Sequence, residues 1–178
     1  MNKNFTVNVF SEKSIQQLIR DLEDYKQEID RKVNLLVQRV ATELEELVRR
    51  NFSGTLSEIS WNNSLGIRNY LAPEVSFGID GDGNSRVVWA SGQDAIWVEF
   101  GTGVYYNGGA GSSPHPKGSQ LGFTIGSYGE GHGKKKTWGY YEDGILYMTH
   151  GVPARMPMYK AVEEITAEIA NIAFEVFE

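Results

Sequence analysis

The chain has 178 residues, 40% of them hydrophobic, which suits one compact domain with room for an appendage. Its 17 Lys and Arg against 23 Asp and Glu give a formal net charge of −6, which excludes a surface that is basic throughout and grips nucleic acid everywhere; an isolated basic patch stays open. With no cysteine there is no disulfide framework, no thiolate nucleophile and no Cys-ligated zinc or iron–sulfur site, so packing alone must hold the fold.

The start, Met1-Asn2-Lys3-Asn4-Phe5, lacks the apolar run of a signal peptide, and no stretch approaches the 18 apolar residues of a membrane span. The expectation is a soluble protein assembled in a cytoplasm. Phe5-Thr6-Val7-Asn8-Val9 alternates apolar and polar residues and predicts a short strand over residues 5–10, with Phe5, Val7 and Val9 on its buried face. From Ile15 to Val48 apolar residues recur at steps of three and four, the pattern of one amphipathic helix. Ser14 and Gln17 have capping-box spacing at its start, and Asn51 to Gly54 is its stop. Unbroken over Ser14–Arg50, such a helix would be about 55 Å long, more than the width of a domain this size. Three arrangements accommodate it: a break near the polar stretch Asp24–Lys32, packing against a neighbouring subunit, or a kinked helix on the solvated surface.

After Gly54 the pattern turns to strands. Glu74–Ile79 and Arg86–Ala90 flank Asp80-Gly81-Asp82-Gly83-Asn84-Ser85, and the Asp-Gly pairs predict a β-hairpin. Asp94–Phe100 is compatible with a helical turn or a strand. Of the 20 glycines, 14 fall between Gly101 and Gly151, so the middle is rich in loops; Leu121–Ile125 and Ile145–Thr149 read as short strands within it. Met158, Ala161, Val162, Ile165, Ile169, Ala173 and Val176 mark a C-terminal helix with Pro157 in its first turn. The predicted class is α+β: one domain over 1–178, an antiparallel sheet packed against a long N-terminal and a C-terminal helix, and a Gly-rich insertion at 104–150.

Four patterns with catalytic or ligand-binding associations fail on spacing, on residue type or by absence. Gly129–Lys136 looks like a phosphate cradle, but a Walker loop ending at Gly133-Lys134 needs glycine where Tyr128 stands and Ser or Thr where Lys135 stands. Asp80, Asp82 and Asn84 have the spacing of the first EF-hand ligands, yet Ser85 replaces the glycine and Ser91 the bidentate glutamate. His115, His132 and His150 are scattered and read as solvated loop residues, and no Gly-x-Ser-x-Gly elbow is present. No catalytic, cofactor-binding or metal-ligating residue is therefore assigned, and a non-enzymatic protein is expected. Lys134, Lys135 and Lys136 are followed by Trp138, Tyr140 and Tyr141, a basic and aromatic interleaving used on single-stranded nucleic acid. Aromatics packed beneath a loop with lysines outside make the same pattern.

Two segments carry a more specific likeness. Trp97-Val98-Glu99-Phe100-Gly101-Thr102-Gly103 and Gly151-Val152-Pro153-Ala154-Arg155-Met156-Pro157-Met158, the second leading into a helix, resemble the paired signatures of the tail-completion family of tailed bacteriophages. The long N-terminal helix, β-rich middle and final helix occur in the same order. Here Met156 precedes Pro157, and Met158 takes the place of the family's aromatic. The resemblance implies a minor tail protein of the virion, assembled in the host cytoplasm, that acts as a ring, expected to be a hexamer. It would contact the tail tube protein and a head-closure or neck protein, while DNA passes through its lumen without specific binding.

That reading makes Trp97, Glu99, Phe100, Gly101, Thr102, Arg155, Met156 and Met158 the candidate interface. From the residues themselves, Glu99 is a carboxylate at the edge of a buried face that needs a partner if desolvated, and Arg155 offers a planar fork. Either the two pair, within or between subunits, or Glu99 is solvated and Arg155 caps nothing. The competing function is a nucleic-acid-binding or DNA-packaging accessory using residues 134–141, with Lys134, Lys135, Lys136 and Trp138 as contacts.

Overall fold

The computed structural model describes residues 3–55, 60–63, 66–69, 75–92, 95–101, 113–123, 138–149 and 154–178. Its longest element, α1, is an α-helix over Glu12–Thr55, 44 residues and about 66 Å. It has no break in Asp24–Lys32: that stretch holds neither proline nor glycine, and helical backbone continues through it. The helix begins earlier than the capping-box spacing implies. Ser11 is the cap, its hydroxyl accepting the Ser14 N–H at 3.4 Å and its carbonyl the Ile15 N–H at 3.1 Å, while the Ser14 hydroxyl accepts the Asn8 N–H at 2.8 Å.

The predicted strand at 5–10 is not one. Those residues run back along α1, with the Phe5 ring edge-on to Tyr25 at 5.8 Å and Lys3 paired to Glu28 at 2.9 Å. A helix flank rather than a neighbouring strand receives the alternating apolar side chains, and Phe5, Val7 and Val9 stay substantially exposed.

At the other end of the chain, α3 spans Pro157–Phe177 and packs antiparallel to the C-terminal part of α1. Arg39 pairs with Glu175 at 2.7 Å, Arg50 pairs with Glu164, and the Lys32 ammonium lies 5.8 Å from the centre of the Phe177 ring. Between the two helices lies the core: Val48, Phe52, Ala95, Val98 and Ala161, with Leu44, Leu47, Val75, Phe77, Val88, Ala90 and Met158 against it. On the hydrocarbon-transfer scale, each large apolar side chain fully buried there contributes about 1.5–3 kcal/mol.

Two antiparallel sheets are present among the described residues, so the class is α+β with sheet packed on helix. The expected hairpin is β3 (Ser76–Asp80) with β4 (Val87–Ser91), in register from Ser76 opposite Ser91 to Asp80 opposite Val87. It lies against α1 through Phe77, whose ring meets Phe52 edge-on at 5.3 Å and carries the Arg49 guanidinium over its face at 5.0 Å. Gly78 is a close-approach position: a Cβ there would stand 2.4 Å from the Trp89 ring. The Asp-Gly segment that superficially resembled a calcium loop is the turn of this hairpin.

A second sheet has the order β2-β1-β6-β5, all antiparallel, from β1 (Ser60–Asn63), β2 (Gly66–Asn69), β5 (Trp138–Glu142) and β6 (Ile145–Thr149). It brings Ile145–Thr149 into a strand as expected. Leu121–Phe123, expected to open another strand, instead closes a compact turn in which Leu121 and Phe123 donate N–H groups to the Lys117 and Gly118 carbonyls at 3.0 and 2.8 Å. Residues 124 and 125 lie outside the described residues. Of the expected insertion at 104–150, the described pieces are 113–123 and 138–149. No described helix is long and apolar enough to cross a membrane.

Candidate functional site: a carboxylate clasp between the two signature segments

The first signature segment folds as α2, a six-residue helix over Ala95–Phe100. Ala95 and Val98 point into the core, and so does Glu99, which is only 6% exposed. Gly101 follows at φ 76°, donating its N–H to the Trp97 carbonyl at 2.8 Å; this left-handed residue ends the helix, which is why glycine suits the position.

The second segment reaches α2 directly, since Arg155 donates its backbone N–H to the Val98 carbonyl at 2.9 Å. The next residue, Met156, is left-handed at φ 56°, ψ 47°, and occupies the N-cap position of α3. That conformation costs a non-glycine residue about 1–2 kcal/mol, and methionine has no oxygen with which to cap the helix. Pro157 follows as the first helical residue and has no N–H to satisfy. The next two amides belong to Met158 and Tyr159, and both donate to Glu99: Met158 N to Oε2 at 2.8 Å, Tyr159 N to Oε1 at 2.9 Å.

Glu99 thus performs from another helix the task an N-cap side chain normally performs locally. Its negative charge sits on the positive end of the α3 dipole, and it takes up the two free amides of the first turn.

A third donor completes the carboxylate. His115, 7% exposed, places Nε2 at 3.1 Å from Glu99 Oε1, while its Nδ1 accepts the Lys117 N–H at 3.0 Å. An acceptor at Nδ1 assigns the ring proton to Nε2, which donates it to Glu99. The imidazole is held by rings on two sides, Phe100 at 4.3 Å and Tyr159 edge-on at 5.3 Å. Phe100 stacks in turn on Phe123 at 4.3 Å with 12° between planes, and Trp97 meets Phe123 edge-on at 6.3 Å. Ser113 fastens the same loop, its hydroxyl donating to the Phe100 carbonyl and its N–H to the Phe123 carbonyl at 2.9 Å. On the outer side, the hydrogen bond and charge of Glu163 push the Tyr159 phenol above its ordinary range.

These contacts correct two expectations. Glu99 is neither solvated nor paired with Arg155 within the chain: its oxygens serve two amides and a histidine, and the Arg155 side chain is exposed. His115 is not a solvated loop residue, because a buried carboxylate needed a donor and the loop brings one. Of the other candidates, Trp97, Phe100 and Gly101 belong to the clasp, Met158 also packs on the core, and Met156 makes the left-handed bend. Thr102, Lys134, Lys135 and Lys136 lie outside the described residues, and Trp138 is placed as the first residue of β5.

The arrangement ties three segments together: Glu99 accepts from two backbone amides and His115, and the second nitrogen of His115 accepts from Lys117. Among the described residues, no three His, Asp or Glu side chains gather closely enough to bind a metal ion. The only signal in the sequence that pointed toward His115 was the demand of Glu99 for a donor; nothing local distinguished it from the other two histidines. No known family model matches the chain, and no curated protein or solved structure is detectably similar to it.

Proposed function

We propose that this chain is a structural protein of a tailed-phage virion, which completes the tail and joins it to the head as a ring oligomer, expected to be hexameric. The observation that carries the reading is the clasp. The two segments that resemble the tail-completion signatures meet each other through Glu99 and the first turn of α3, so both serve one structural element. In this reading the work of the two segments is to fix α2 against α3, and the exposed Arg155 beside them faces a neighbouring subunit.

A lumen that lets DNA pass is part of this reading. The groove between α1 and α3, about 780 Å³, is lined by the apolar Leu47, Ile165 and Ala167 together with Glu43, Glu46, Glu168 and the Arg50–Glu164 pair. Carboxylates in excess oppose phosphate binding, in keeping with the net charge of −6. Partners in this reading are the tail tube protein on one side and a head-closure or neck protein on the other. Deleting the gene from the phage or prophage that carries it tests the reading: separate heads and tails of abnormal length support it, and normal virions overturn it. Salt-dependent retention of DNA by the purified protein, lost when Lys134, Lys135 and Lys136 are neutralised, would instead favour the nucleic-acid accessory function.

A further inference from the structure

The first part of α1 projects beyond the helix pair. The last helical residue of α3, Phe177, sits under Lys32, so residues 12–31 of α1, about 30 Å of helix, have no α3 beside them. One flank of this arm is covered by residues 3–10. The half-buried positions Ser14, Leu18, Asp21, Tyr25 and Glu28 follow that strap at alternating steps of four and three. The adjacent row, Ile15, Ile19 and Leu22, is open at 40%, 50% and 45% exposure. Lys26 continues the same row, and Glu12 borders its N-terminal end; helical geometry sets all five within roughly 80° of arc.

We propose that this row docks on the same row of a second copy, as an antiparallel helix pair about a two-fold axis beside Ile19. In that register Ile15 of each copy meets Leu22 of the other, and Ile19 lies near the axis. Lys26 falls opposite Glu12, and the symmetry makes this pair twice. Charge selects the direction: a parallel pair would set Lys26 against Lys26 and Glu12 against Glu12. The 3-4 spacing of the row is the one that helix pairs use to keep a seam in contact over this length. This contact does not rest on the tail reading.

Sedimentation of the full chain, with circular dichroism to confirm folding, tests the proposal. The wild type is expected to be a dimer, Ile19→Asp a monomer, and Lys26→Glu weaker by roughly tenfold in dissociation constant, as loss of two exposed ion pairs and gain of two repulsions implies. Combining Lys26→Glu with Glu12→Lys restores the wild-type constant. Because the chain has no native cysteine, Ile19→Cys is a clean reporter, and a short bismaleimide is expected to yield covalent dimer. A monomeric wild type at about 100 µM, an oligomer whose mass ignores Ile19→Asp, or self-cross-linking of Lys26→Cys overturns the proposal. A ring untouched by the arm variants overturns this inference and spares the tail reading; an arm-paired dimer that never engages a tail tube does the reverse.

Discussion

Glu99 accepts the backbone N–H of Tyr159, sixty residues further along the chain, at 2.9 Å. That bond and its companion from Met158 couple the end of α2 to the start of α3 and make the start of the last helix depend on a residue outside it. Because Pro157 brings no donor and Met156 no cap, Glu99 takes the place of the cap by accepting the amides of this first turn.

Removing the carboxylate is therefore expected to destabilise the fold strongly. Glu99→Ala leaves two amides and the His115 N–H without their acceptor, at a cost of about 3–5 kcal/mol, and Glu99→Gln costs about 1–3 kcal/mol because one oxygen becomes a donor facing donors. Urea denaturation measures both. A Glu99→Ala loss below 1 kcal/mol would mean that the clasp does not hold α3.

The partner assignment has its own test. Arg155→Glu leaves stability within about 0.5 kcal/mol of wild type, since the side chain is exposed, and a double-mutant cycle with Glu99→Gln shows no coupling beyond about 0.5 kcal/mol. His115→Ala couples to Glu99→Gln by more than about 1 kcal/mol in the same assay. Reversal of those two results would return Arg155 to the site.

Backbone strain at Met156 gives an order of stabilities. Glycine tolerates the left-handed conformation and a β-branched residue does not, so stability is expected to fall in the order Met156→Gly, wild type, Met156→Val, with steps of about 0.5–1 kcal/mol. Thermal unfolding under identical conditions checks the order, and a more stable valine variant would contradict the bend.

Gly78→Ala probes the hairpin. The new methyl meets the Trp89 indole and must displace it, at about 1–3 kcal/mol, with a change in the near-ultraviolet signal of tryptophan. An unchanged midpoint and spectrum would place Trp89 elsewhere.

The strap along α1 has a pH signature. The hydrogen bond and charge of Lys3 hold the Glu28 carboxyl below its ordinary value of 4.5. A lowered carboxyl contributes stability above its unfolded value and loses it as pH falls through the folded one. The pair is exposed, so solvent and salt weaken it. Carboxyl NMR titration is expected to show Glu28 moving upward in Lys3→Ala; a midpoint indifferent to residue 3 would detach the strap.

Much of the architecture is legible in the residues themselves, and the reasons for the exceptions are physical. The three- and four-residue steps of α1 and α3 report a face that must be buried, and Asp-Gly between alternating runs reports a hairpin, because each depends on neighbours in sequence. The alternation of Phe5, Val7 and Val9 has the period of a strand, yet a helix flank accommodates it, and periodicity says nothing about which surface receives it. Ser60-Trp61-Asn62-Asn63 has too few apolar residues to announce β1; its pairing with Tyr147 and Met148 supplies the ladder from more than eighty positions away. At the site, the requirement of Glu99 for donors was readable, but their identity was not. Two of the three are backbone amides, which no side-chain pattern records, and the third is set by how the 113–123 loop folds back.

Whether the clasp serves a ring on the tail tip, as proposed, is read by electron microscopy of the purified protein mixed with tail tubes of the phage proposed to carry it, with Glu99→Ala as the control. A ring of density is expected at one end of each tube with the wild type, and bare tube ends with the variant. Bare tube ends with a folded wild-type protein would contradict the proposal.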